Sequence, residues 1–289
     1  SKAIQFGADL FVFKYNNTKR TLELSRAGTS GWVHSTIDGD SATGGKIAAD
    51  VGKYTSATIY NNQLHLLYYN ATNGTLRHAW YDNSSWAYET LDGTSASVST
   101  QTANVGMTTN IAVFNGTLQA FYYDATNGNL RHAWYDQTRG WKFENLDGDY
   151  GSVGGYNSNL GQNAFAIQYN GSLQLFYYDV QRGTLRHAWV TTSQGWKFEN
   201  LDGDAGSVAR YSSFLGQDPS ATVIGDSLQL FYYDVQRGNL RHAWVTTSQG
   251  WKFENLEGDA GSVSGIASDI GSMSSTTTLN GKLYVFYRQ

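Results

Sequence analysis

Apolar residues recur along this chain in short runs with a period of two. In Leu173-Gln174-Leu175-Phe176-Tyr177-Tyr178 the alternation puts Leu173, Leu175 and Tyr177 on one face and Gln174, Phe176 and Tyr178 on the other. Both faces are largely apolar, which predicts a strand covered on both sides. Further on, Trp196 and Phe198 share a face while Lys197 and Glu199 point the other way, the pattern of an outer, partly solvated strand. Four strands are predicted here, near residues 164–169, 173–178, 184–190 and 196–201. The first two are joined by Asn170-Gly171, a pair that supplies positive φ at both turn positions and is the strongest short hairpin signal. Asn115-Gly116 and Asn280-Gly281 repeat it.

The four-strand unit is itself repeated. Leu-Arg-His-Ala-Trp begins at Leu76, Leu130, Leu185 and Leu240, with a divergent copy, Leu-Glu-Leu-Ser-Arg, at Leu22. Successive copies are 54, 54, 55 and 55 residues apart. The extra residue lies in one hairpin loop, because Trp80 to Trp86 spans six positions and Trp134 to Trp141 spans seven. A small antiparallel sheet, apolar on both faces and repeated in this way, predicts an all-β fold, a β-propeller of four-stranded antiparallel blades. The first-and-second-strand hairpin occurs six times and the outer pair five times. Six blades are therefore expected, the last incomplete, with five as the alternative. Residues 1–289 then form a single propeller domain of five 54–55-residue repeats plus a C-terminal two-stranded half repeat.

Composition narrows the class. Charged residues make up 15% of the 289, the formal net charge is −4, and no basic stripe is present, which argues against nucleic acid as a partner. No apolar run is long enough for a membrane-inserted helix. Cysteine is absent, so disulfides and thiolate metal sites drop out. The loops Asp-x-Gly-Ser-Val at Asp149, Asp204 and Asp259 lack the ligand spacing of a calcium loop, so their carboxylates are expected to form turns, with no metal and no cofactor.

The repeat resembles the fungal fucose-specific lectins of the Aleuria type. Residues 118–123, followed by Leu130-Arg131-His132 and then a tryptophan, correspond to that family's aromatic strand, turn and arginine-bearing strand. The resemblance implies a six-bladed propeller that binds sugar. Its fucose-binding positions are not matched, since the family's arginine and glutamate are here Gln119, Gln174 and Gln229, then His132, His187 and His242, with His65 and His78 in the second copy.

The candidate sugar-binding residues are the repeated trio: Arg77, His78 and Trp80; Arg131, His132 and Trp134; Arg186, His187 and Trp189; Arg241, His242 and Trp244. Indole offers an apolar plate to a sugar, and arginine and histidine donate to hydroxyls. The same residues could instead fill and pin the space between blades. No paired catalytic carboxylates or nucleophile motif stand out, so no enzyme is expected. The reading of function is a non-catalytic, lectin-like propeller, secreted or at the cell surface, that engages glycans through several weak sites. The alternative is an interaction scaffold assembled into a larger surface protein.

Overall fold

The computed structural model describes residues 1–29, 31–45 and 47–288, and among them there is no helix. β1 (Lys2–Phe6), β2 (Asp9–Asn16), β3 (Thr21–Gly28) and β4 (Gly31–Asp38) form the first sheet. β5 (Val51–Tyr60), β6 (Gln63–Asn70), β7 (Thr75–Tyr81) and β8 (Trp86–Asp92) form the second. The third holds β9 (Val105–Phe114), β10 (Thr117–Asp124), β11 (Asn129–Asp136) and β12 (Gly140–Asp147). β13 (Leu160–Tyr169), β14 (Ser172–Asp179), β15 (Thr184–Thr191) and β16 (Lys197–Asp202) make the fourth. The fifth contains β17 (Leu215–Ile224), β18 (Ser227–Asp234), β19 (Asn239–Thr246) and β20 (Lys252–Glu257). β21 (Ser272–Leu279) and β22 (Lys282–Arg288) end the chain as a two-stranded sheet. Within the sheets the strands pair antiparallel with their sequence neighbours, as the turn chemistry requires, while isolated parallel bridges such as Gly93 to Thr102 lie in the connections. Asn115 and Gly116 take φ of 49° and 72°, the mirror-image turn expected of Asn-Gly.

The first strand of the fourth repeat is longer than its alternation suggests. β13 begins at Leu160, not near 164, and its register against β14 shifts on either side of Gln162. The shift passes through residues of positive φ, Gly161 at 101° and Asn163 at 56°, which break the period of two without ending the strand. The glycine is also required by close approach: at the equivalent Gly106 a Cβ would lie 2.9 Å from the Leu76 Cα.

Two compact units divide the chain, Ser1–Leu146 and Asp147–Gln289. In each, the core lies between successive sheets. In the first unit one cluster joins Phe11, Phe13 and Leu22 to Val51, Leu64 and Leu66, and another joins Leu67, Leu76 and Leu91 to Val105, Leu118 and Ala120. In the second, Phe176, Leu185 and Leu201 pack with Leu215, Leu228 and Leu230. Both faces of a middle sheet are thus covered, as the double-faced strand pattern predicts. Burying each such leucine is worth about 1.5–3 kcal/mol, so these seams carry the fold.

Candidate functional site

The trio on the third strand separates into two environments, because adjacent residues of a strand point to opposite faces. The arginines face the preceding sheet or loop and are pinned there. Asp92 accepts from the Tyr122 hydroxyl at 2.6 Å and from Arg131 Nε at 2.9 Å, with Arg131 Nη2 at 2.8 Å. Arg131 Nη1 reaches Asn145 at 2.8 Å. The same lock recurs as Asp38 with Tyr68 and Arg77, Asp147 with Tyr177 and Arg186, and Asp202 with Tyr232 and Arg241. All four aspartates are fully buried. Burial, reinforced by the carboxylate, pushes the four tyrosine hydroxyls well above their usual pKa. Arg77, Arg131, Arg186 and Arg241 are therefore committed to ion pairs in the interior, and the geometry offers them no sugar. The mark of these aspartates in the sequence is the Asp-Gly pair that closes the fourth strand of repeats one to four, whereas the fifth ends on Glu257-Gly258.

The histidines occupy the opposite face. His78 Nδ1 meets Glu89 at 2.7 Å, and His132, His187 and His242 meet Glu144, Glu199 and Glu254 at 2.8, 2.8 and 2.7 Å. Glu199, which alternation assigns to solvent, is half-buried and holds a histidine. The indoles of Trp80, Trp134, Trp189 and Trp244 stack on these imidazoles at 4.9–5.1 Å and stay partly exposed. In repeats three to five the other imidazole nitrogen lies 2.6–2.7 Å from the amide of Gln119, Gln174 or Gln229. A phenylalanine, Phe121, Phe176 or Phe231, closes the far face of the ring.

Repeat two departs from this pattern, and there a cavity opens. Leu67 replaces the phenylalanine and His65 replaces the glutamine. His65 lies parallel to His78 at 5.2 Å, and its Nδ1 is 3.0 Å from His78 Nε2. Burial, then the His78 ring, push the His65 pKa down to about 3, so the ring is neutral at physiological pH. If His78 donates from Nδ1 to Glu89, its Nε2 accepts from His65 Nδ1, and His65 Nε2 is left as a lone pair. That nitrogen is buried without a hydrogen-bond partner. Trp141, from the third sheet, donates its Nε1–H to Glu89 at 3.0 Å and meets His78 edge to face. The cavity is about 210 Å³, enough for one sugar ring, and is lined by Tyr60, His65, His78, Trp80, Glu89 and Trp141 among others. Aromatic walls with a few fixed polar groups are the usual make-up of a small-ligand site. Glu89, Trp141 and Tyr60 escaped the sequence reading because they come from three different strands and lie outside the repeated pentapeptide.

No protein-family model matches the chain, and no curated protein matches it in sequence. Solved structures do match. The catalytic domain of the Coprinopsis cinerea GH62 alpha-L-arabinofuranosidase is similar at 15% identity, covering 87% of both chains with a TM-score of 0.52. The exo-beta-1,3-galactanase of Phanerochaete chrysosporium is similar at 11% identity and a TM-score of 0.53, covering 98% of this chain and 65% of that one. These neighbours are β-propeller glycoside hydrolases, so the propeller expectation holds, and five complete sheets fit five blades. The Aleuria-type resemblance is not supported, and six blades are not established. The expectations of a non-catalytic lectin and of no enzyme are corrected on the same finding, since the fold neighbours are hydrolases and not lectins. At 11–15% identity the likeness itself fixes the fold alone.

Proposed function

We propose that the chain is a carbohydrate-active propeller that hydrolyses glycosidic bonds, with the glycan held in the cavity of repeats two and three. The observation that carries this reading is the convergence of Glu89, the His65–His78 pair and two indoles on one sugar-sized space. Trp80 and Trp141 take the apolar face of the ring. Glu89 receives both His78 and Trp141 on Oε1, which leaves its second oxygen for water or a sugar hydroxyl. In the proposed step water attacks the anomeric carbon, its proton passes to Glu89, and the glycosidic C–O bond breaks. The departing oxygen takes a proton from the water-filled mouth of the cavity. Most glycosidases use two carboxylates. The described lining residues supply one, so His78, itself held by His65, is assigned as the group that orients Glu89. Arabinofuranosides and β-1,3-galactan are the substrates to try first, given the neighbours of similar fold. Such a substrate would be met outside the cell or at its surface.

The test is release of reducing sugar from a panel that includes both glycans. Glu89→Gln, nearly isosteric, is expected to lower the rate at least a hundredfold while the protein still melts cooperatively. No release from any glycan, or equal release by Glu89→Gln, would remove hydrolysis at this cavity.

A further inference from the structure

The cavity between the second and third sheets is shut at both of its sides. Strand order runs from β5 to β8 across the second sheet and from β9 to β12 across the third. Near the β5 edge the Tyr60 hydroxyl donates to the Gly116 carbonyl at 3.0 Å, tying the end of β5 to the turn between β9 and β10. Near the β8 edge Trp141 of β12 donates to Glu89 of β8, also at 3.0 Å. Each bond crosses from one sheet to the other, with an aromatic ring behind it.

The floor follows from the period of two. Leu67 lies two places beyond His65, Leu76 two places before His78, and Leu91 two places beyond Glu89. Each leucine therefore shares a face with the cavity residue of its own strand. All three are fully buried, and they pack with Val105, Leu118 and Ala120 of the third sheet. A dry seam of this kind gives a hydroxyl-rich chain no passage, because its polar groups would find no partners there. What remains is the hairpin end, where Asn61 and Gln137 stand exposed at the rim. The space inside, about 210 Å³, holds one sugar ring and not two linked rings.

Resting on the reading of hydrolysis at Glu89, we infer that the cavity takes the non-reducing end of a glycan and releases one sugar unit at a time. An open-ended cleft seats a chain anywhere along its length, whereas a blind pocket seats only an end. In the step assigned to Glu89, the ring inside the pocket carries the anomeric carbon that water attacks. The bond that breaks joins this carbon to the oxygen of the next unit, and that oxygen leaves with a proton taken from the mouth. The rest of the chain hangs on the departing oxygen, so it lies outside the rim. The enclosed ring is then the terminal one, and a substituent on its far side would run into the leucine floor.

Linear β-1,3-galactan and linear arabinan are the probes, digested with the full chain while viscosity and product size are followed. Free monosaccharide is expected as the first product, with viscosity falling only in step with the mass removed. A ladder of oligosaccharides with an early collapse of viscosity would overturn the inference and leave hydrolysis standing. Capping the non-reducing galactose of β-1,3-galactotriose as a benzylidene acetal should slow its cleavage at least a hundredfold, and equal cleavage of capped and free forms would count against an enclosed end. Binding separates the inference from the hydrolytic reading. Glu89→Gln, shown to melt cooperatively and titrated by calorimetry, is expected to bind the free trisaccharide at least tenfold more tightly than the capped one. That preference supports end recognition even where the wild-type chain cleaves no glycan, whereas equal affinity, or no binding of either, overturns it.

Discussion

Arg77 and His78 are neighbours on one strand, yet they belong to regions with opposite rules. The arginine face is sealed. Asp38, Asp92, Asp147 and Asp202 lose all exposure, and each holds a tyrosine and an arginine at nearly identical distances in four repeats. The histidine face keeps its histidine and glutamate but changes what surrounds them, with Gln119 and Phe121 in one repeat and His65 and Leu67 in another. A sealed ion pair tolerates little change, because removing one partner strands a buried charge. A half-open hydrogen-bond chain can exchange a member and leave space. In this protein the repeat is held together by one face and diversified on the other.

The largest expected effect breaks the sealed face. Arg131→Ala leaves Asp92 buried without its cation and should destabilise the protein by about 3–5 kcal/mol, read from denaturant unfolding. Replacing Asp92 and Arg131 together with apolar residues of similar size should recover much of that loss, since the intact pair itself carries a desolvation penalty. If the single change lost less than about 1 kcal/mol, the range of a surface pair, the lock would not be what joins these sheets.

The next effect sharpens the other face through pH. The His65 pKa falls from 6.5 to about 3 on folding. Below pH 6.5 the unfolded chain then binds a proton that the folded chain refuses, so stability is lost as pH falls and is fully present only above that value. With about 1.4 kcal/mol per pH unit, this residue alone removes about 3 kcal/mol by pH 4. Burial lowers His132, His187 and His242 in the same direction, so a sloping acid limb remains in any single variant. His65→Gln, which installs the residue of repeats three to five, should make that limb visibly shallower in unfolding measured from pH 7 to 4. An unchanged slope would mean that His65 takes up its proton in the folded state.

Much of the scaffold is legible in the sequence because each strand carries its signals locally. Asn-Gly pairs give the hairpins, and the apolar positions of residues 173–178 give strands covered on both sides. The start of β13 was not legible, since Gly161 and Asn163 interrupt the alternation that marks a strand. The trio Arg186, His187 and Trp189 stood out, but its division into lock and site did not. That division depends on which residues of other strands meet each face, Asp147 on one side and Glu199 on the other. Departures from the repeat were the more useful signal. His65 and Leu67 break the consensus at two alternate positions of one strand, and that is where the cavity lies.

The smallest expected effect compares two indoles in equivalent places. Trp141 reaches over His78 and donates to Glu89, while Trp251 reaches over His187 at 5.6 Å and meets Phe176 at 5.8 Å. Phenylalanine preserves most of the ring packing at either position and removes the indole N–H. At Trp141 the lost bond is to a partly solvated carboxylate, so the change should destabilise by about 1 kcal/mol, and at Trp251 by no more than that. Stability therefore barely separates the two variants. Function should, because only Trp141 touches the carboxylate of the cavity. Trp141→Phe is expected to reduce glycan hydrolysis about tenfold, the equivalent of roughly 1.4 kcal/mol in the barrier, while Trp251→Phe leaves it unchanged. Initial rates on the same glycan, measured beside thermal melts of both variants, decide it. Equal rates in the two variants would locate the chemistry away from the histidine face of repeat two.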